Sequence, residues 1–177
     1  MADAESFQGR YEEVAAPLTA WAHLRCRGPL RRAIDPDDLV QEVVLEAWRA
    51  QERFDPSKGA FRSWLFGVAN RVAAETLRRK ARRGDAQDYE SEPVAELTTI
   101  SRRVRRREAL TSLFKRMDEL DAEDRDLIVY RGIEGLDHRT VAELLGITSE
   151  AAAKRWQRLR EQIAVWPAVK DLLSDRD

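Results

Sequence analysis

Apolar residues recur at intervals of three and four along almost the whole chain, and only 8 glycines and 6 prolines interrupt its 177 residues. That spacing returns side chains to one side of an α-helix, whereas a half-buried strand needs alternation at two. No segment carries a convincing strand pattern, so an all-α fold is expected. A first helical region runs roughly from Phe7 to Arg27, kinked or restarted at Pro17 and closed by Gly28-Pro29. Asp35-Pro36 then supplies an acidic cap before a first-turn proline, and Asp37 and Asp38 suit the positive end of the helix dipole. That helix is expected to reach about Gln51. Phe54-Asp55-Pro56-Ser57-Lys58-Gly59 reads as a turn, followed by a long helix from about Ala60 to Arg82.

Between Gly84 and Ser101 the helical period fades, and five carboxylates and Pro93 stand among few large apolar residues, as a linker requires. Helical pattern resumes over 102–117, 122–132, 139–145 and 149–165. The expected organisation is two small helical domains, 1–83 and 102–165, joined by a linker at 84–101 and followed by a tail at 166–177. Domains of this size bury a modest fraction of their surface, so help from a partner is unsurprising.

Composition excludes several classes. No apolar run approaches the ~20 residues of a membrane span, and the acidic start lacks the basic and apolar regions of a signal peptide. A cytoplasmic protein without membrane insertion is expected. One cysteine, Cys26, excludes an internal disulfide framework, and His23 and His138 alone cannot assemble a zinc site. There is no phosphate-cradling glycine loop and no recognisable nucleophile with its base, so neither a cofactor nor an enzyme activity is expected.

The net charge of −1 hides strong blocks. Residues 61–83 carry +6, residues 84–100 carry −5, residues 101–107 carry +5 and residues 151–160 carry +4. Basic charge is thus concentrated on particular helices, the footprint of a nucleic-acid partner.

The sharpest local signal is Thr140 to Glu150 followed by Ala151 to Arg160, which reads as a helix-turn-helix. Gly146 ends one helix, Ile147 plugs the angle and Thr148 caps the next. In the second helix Ala152, Trp156, Leu159 and Ile163 form one apolar stripe. Ala153, Lys154, Gln157, Arg158 and Glu161 lie outward, with Arg155 flanking, a face able to enter a major groove. The alternative is an ordinary helical hairpin with a solvated basic face.

Two N-terminal helices carry further signals. On the helix beginning at Pro36, Leu39, Val40, Val43, Val44 and Ala47 form a core stripe. Asp38, Gln41, Leu45 and Trp48 fall opposite, either as a protein-docking face or as part of a wider buried stripe. On the next helix Phe61, Trp64, Leu65, Val68, Val72 and Thr76 form the apolar stripe. Ser63, Phe66, Gly67 and Asn70 project from the other side, where an aromatic beside Asn and Arg could stack unpaired bases. The alternative places the aromatics in the core, which is favoured for Trp64, and leaves the terminal arginines to complement the helix dipole.

At these residues the chain resembles the sigma-70 superfamily, in particular the minimal extracytoplasmic function group. Asp37 to Val43, Ala47-Trp48-Arg49, Phe54, Phe61 to Leu65 and Ala69-Asn70-Arg71 resemble region 2. Leu120, Arg125 to Ile128, Gly135-Leu136 and the helix-turn-helix resemble region 4. The resemblance implies a factor that binds core RNA polymerase and promoter DNA, with an anti-sigma factor as a further partner. It implies that Asp38, Gln41, Glu42, Leu45 and Trp48 dock on the clamp coiled coil of the largest catalytic subunit. The loop Asp55 to Ala60 and the following helix would recognise the minus-ten element, chiefly through Ser63, Asn70 and Arg71, with Arg62, Arg78 and Arg79 alongside. Lys154, Arg155, Gln157 and Arg158 would read the minus-thirty-five element, with Arg139 and Thr140 near the backbone, and region 4 would also touch the polymerase flap. The chain departs from the family at Ala151, Ala152 and Ala153, which stand where threonine, valine and a basic residue are common. Alanine offers a methyl contact and no hydrogen bond. A stand-alone helix-turn-helix regulator and a module binding acidic proteins are the other two readings of the same features.

Overall fold

The computed structural model describes residues 2–83 and 111–166, with side chains over 7–82 and 111–166. The chain divides into two compact units between Pro93 and Val94. The linker expected at 84–101, the basic run 101–107 and the tail beyond Trp166 lie outside the described residues.

The first unit is three helices. Helix α1 spans Ala2–Arg25, α2 Pro36–Arg49 and α3 Phe61–Arg83, with a 3₁₀ turn at Gln51–Arg53. Helix α1 begins earlier than expected and passes through Pro17 without restarting. Proline removes one intrahelical bond, but its fixed φ suits the helix, and Pro17 is buried beside fully buried Leu18 and Trp21, whose packing holds the continuous path. Asp35 caps α2, its carboxylate accepting from the Asp37 N–H at 3.0 Å, with Pro36 in the first turn. Helix α2 packs on both α1 and α3. Leu39, Val43 and Ala47 are buried and Val40 and Val44 half-buried, so the apolar stripe of α2 faces both neighbours.

The second unit begins, among the described residues, with the helical residues 111–118, here α4. Helix α5, Ala122–Leu127, runs on into a wide π turn over Ile128–Ile133, α6 spans His138–Leu145 and α7 spans Ser149–Ile163. Each of the last three helices starts on a side-chain cap. Asp121 accepts from the Asp124 N–H at 2.8 Å, Asp137 from the Thr140 N–H at 2.8 Å, and Thr148 from the Ala151 N–H at 3.1 Å. Gly146 ends α6 in the left-handed region, φ 68° and ψ 30°, where an L side chain is strained. Ile147 then returns its N–H to the Ala142 carbonyl at 3.0 Å, and its side chain is half-buried in the angle between α6 and α7. The core gathers Met117, Leu127, Ile128, Ile133, Val141, Trp156, Leu159 and Ile163. Trp166, at the start of the expected tail, is buried, with the Arg116 guanidinium 5.8 Å from its ring.

Candidate functional site

Helix α2 has the two faces its sequence separates. Leu45 is 55% and Trp48 42% exposed, so the reading that buries both is set aside. Trp48 meets Phe7 of α1 edge-on, ring centroids 5.3 Å apart, which orients the indole and leaves much of it open. Asp38, Gln41 and Glu42 are half-buried along the same helix. Glu42 accepts from the Arg79 guanidinium at 3.0 Å, joining a residue expected to face polymerase with one expected to face DNA. Both partners are about half exposed, so the bond steers the two side chains more than it stabilises the unit.

Helix α3 corrects one expectation. Phe66, placed on the outer side from periodicity, is buried, its ring 6.0 Å from that of Trp21. The physical reason is that α3 is flanked by α1 as well as α2, which widens its buried arc beyond one stripe. The exposed side carries Gly67, Arg71, Glu75, Arg78 and Arg82, with Leu77, Arg79 and Ala81 exposed beside it. Trp64, favoured for the core, is only half-buried. It sits in an aromatic cluster with Phe54 at 5.5 Å and Phe61 at 5.4 Å, to which Phe7 adds a ring 5.6 Å from Phe61. The Arg10 guanidinium lies 5.2 Å over Phe54. This cluster escaped sequence reasoning because its rings come from three separate segments. In the adjoining loop the Asp55 carboxylate accepts from the Ser57 hydroxyl at 2.7 Å and the Ser57 N–H at 3.0 Å, and these bonds hold it below the usual carboxylate range.

The expected minus-ten residues do not form one patch. Asn70 accepts from Arg25 of α1 at 3.0 Å and donates to the Phe66 carbonyl at 3.0 Å, so its amide is oriented from within the fold. The Arg62 guanidinium lies 6.0 Å from the Phe66 ring, and Ser63 is half-buried. Arg71 and Arg78 are exposed on one side of α3, while Arg79 turns to Glu42. Burial pushes the Cys26 thiol, at the end of α1, up to about 11, so it is held protonated and unreactive.

In the second unit Ala152, Trp156, Leu159 and Ile163 are buried, and Lys154, Gln157 and Arg158 are exposed on the opposite side of α7. Lys154 pairs along the helix with Glu150 at 2.7 Å, and Arg139 with Glu143 at 3.3 Å. The Thr140 hydroxyl is 3.2 Å from Asp137, whose carboxyl is held low chiefly by the backbone bond from Thr140. Arg155, expected among the DNA readers, is held within the unit. Its guanidinium turns back to α5, bonding both oxygens of Asp121 at 2.9 Å, Asp124 at 2.5 Å, and Glu123. Three carboxylates gathered at the first turn of α5 outcompete solvent for it, and it acts as a brace between α5 and α7.

Known proteins match this sequence. The family description Sigma-70 region 2 matches residues 10–83. RNA polymerase sigma factor NccH of Alcaligenes xylosoxydans xylosoxydans is 29% identical over 133 residues, 73% of this chain and 71% of that protein. CnrH of Cupriavidus metallidurans is 29% identical over 143 residues, 73% and 72% of the two chains. The ECF sigma factor SigK of Mycobacterium tuberculosis is 32% identical over 123 residues, 64% of each. A solved structure of CnrH in complex with the cytosolic domain of CnrY covers 91% of this chain at 23% identity with a TM-score of 0.44, and the assignment rests on the sequence matches. With the helical bundle, its capped helices and the residues they carry, these matches make residues 10–83 similar to Sigma-70 region 2 and the chain similar to extracytoplasmic function sigma factors.

Proposed function

We propose that the chain joins core RNA polymerase through α2 and directs it to promoters whose minus-ten element is taken by the first unit and whose minus-thirty-five element is read by the second. The observation that carries this reading is the pairing of Leu45 and Trp48. They are two large apolar side chains exposed on a helix whose other face is fully occupied by core, the usual composition of a docking anchor. Asp38, Gln41 and Glu42 give that anchor a polar rim. Arg71 and Arg78 suit phosphates of the minus-ten strand, and Ser63, Asn70, Arg62 and Arg79 are the further candidates for that element. Lys154, Gln157 and Arg158 suit the major groove, where Gln157 can pair with adenine, and Arg139 and Thr140 lie near the backbone. α6, the turn at Gly146 and α7 then act as the helix-turn-helix of region 4. Base capture replaces chemistry. Unstacking costs a few kcal/mol per base, and stacking returns roughly 1–3 kcal/mol per base.

The test is transcription by core polymerase with this protein across fragmented genomic DNA, with start sites mapped. The reading requires a set of starts sharing two spaced elements. Absence of such starts, together with tight binding of the protein alone to a duplex site, would sink it in favour of a stand-alone regulator.

A further inference from the structure

Helix α7 presents Lys154, Gln157 and Arg158 to solvent, while Ala152, Trp156, Leu159 and Ile163 are buried on its opposite side. At ~100° per residue Arg155 stands on the flank between these faces, within about 5 Å along the axis of all three exposed side chains. Its side chain is 23% exposed, against 74% for Lys154. The guanidinium bonds both oxygens of Asp121 at 2.9 Å, Asp124 at 2.5 Å, and Glu123. All three carboxylates belong to the cap or the first turn of α5, and Asp121 also accepts from the Asp124 N–H at 2.8 Å, so the anchor is itself held by backbone. Apolar packing is non-directional and tolerates a small roll of a helix about its axis. A forked guanidinium on fixed carboxylates tolerates far less. The roll of α7 is thus fixed at the level of the chain where it decides which side chains face outward.

We infer that Arg155 is a positioning residue for the reading face of α7. Held by Asp121, Glu123 and Asp124, it sets the roll of the helix and so the aim of Lys154, Gln157 and Arg158 at base edges. A side chain that bonds a base edge must be placed to within about 0.5 Å, whereas attraction to phosphates survives a looser fit. A small roll therefore costs sequence selectivity before it costs general affinity. Arg155 adds selectivity for the minus-thirty-five element, and its charge, matched by the carboxylates of α5, adds little to the attraction of DNA. This role rests on the proposed reading of that element by the second unit, and the experiment separates the two.

Holoenzyme formed with the full chain is titrated at several salt concentrations on a promoter fragment and on the same fragment with its minus-thirty-five element scrambled. The chains compared are the wild type, R155M, D124A and R155M/D124A, each below its melting temperature. The ratio of the two affinities should fall roughly tenfold in R155M, about the discrimination carried by one base pair, with the log-log salt slope unchanged. D124A should lower the ratio severalfold, although losing a carboxylate would by charge alone tighten both fragments alike. The double variant should discriminate no worse than R155M, because both changes break one interaction. Weaker binding of both fragments in equal proportion, with the ratio kept, would make the brace merely structural and overturn the role. A slope smaller by roughly 0.9 in R155M, the sign of a lost phosphate contact, would overturn it too, as would D124A discriminating as well as the wild type. A wild-type holoenzyme that binds both fragments equally overturns the proposed reading of the minus-thirty-five element as well.

Discussion

Arg155 Nε donates to Asp124 Oδ1 at 2.5 Å across 31 residues, tying the middle of α7 to the first turn of α5. The same guanidinium bonds both oxygens of Asp121, the residue that caps α5, so the start of one helix and the inclination of another share one cation. The carboxylates raise the Arg155 pKa, first through its bond to Asp124. R155M keeps the length of the side chain and removes its charge. It should lower the stability of the chain by about 1–2 kcal/mol, between an exposed pair and a hydrogen-bonded charge. Urea unfolding followed by circular dichroism measures this, and an unchanged midpoint would mean that the brace contributes nothing.

Leu45 is the sharper probe of docking, because it is exposed and no described aromatic contact holds it. L45R should weaken association with core polymerase by roughly 30-fold or more, the loss of a hot-spot anchor of about 2 kcal/mol, with helix content unchanged. Core affinity equal to wild type would remove α2 as the docking face. Trp48 is the less clean choice, since its ring also rests on Phe7.

Phe66 separates the two roles once open to the aromatics of α3. Buried against Trp21, it should cost about 3–5 kcal/mol when truncated in F66A. W64A, at a half-buried site, should cost less in stability and more in promoter binding. Thermal melts beside promoter titrations decide it, and equal stability losses would contradict the assignment of Phe66 to the core and Trp64 to the rim.

His138 opens α6, and its pKa is lowered from the ordinary 6.5, first by burial and then by the charge of Arg131, with Asp137 opposing. A histidine that protonates less readily when folded gains stability above its ordinary pKa and loses it as pH falls from there through the lowered value. Below about pH 6.5 the urea midpoint should therefore fall, and H138N should reduce the slope of that fall. An identical pH profile for the two proteins would show that another group is responsible.

Much of this architecture was legible from local rules. Asp35 and Thr148 cap the helices that their side-chain chemistry suits, Gly146 stands where a left-handed residue was needed, and the α7 stripe is buried as its spacing indicates. Phe66 was misplaced because periodicity describes one helix against one neighbour, and α3 has two. The pairing of Arg155 was not legible because charge was read along α7 alone, while the carboxylates it bonds lie 31 to 34 residues earlier.

The sequence by itself determined where helices form, the caps at Asp35 and Thr148 and the basic blocks, since these depend on residues within a few positions of one another, where backbone and capping energetics act. Only the tertiary structure decided which cations reach solvent and which are spent on carboxylates, and which aromatics gather at one end of the first unit. Those outcomes depend on packing between segments distant in the chain, where burial and pairing are set by the neighbour that arrives and not by the spacing that precedes it.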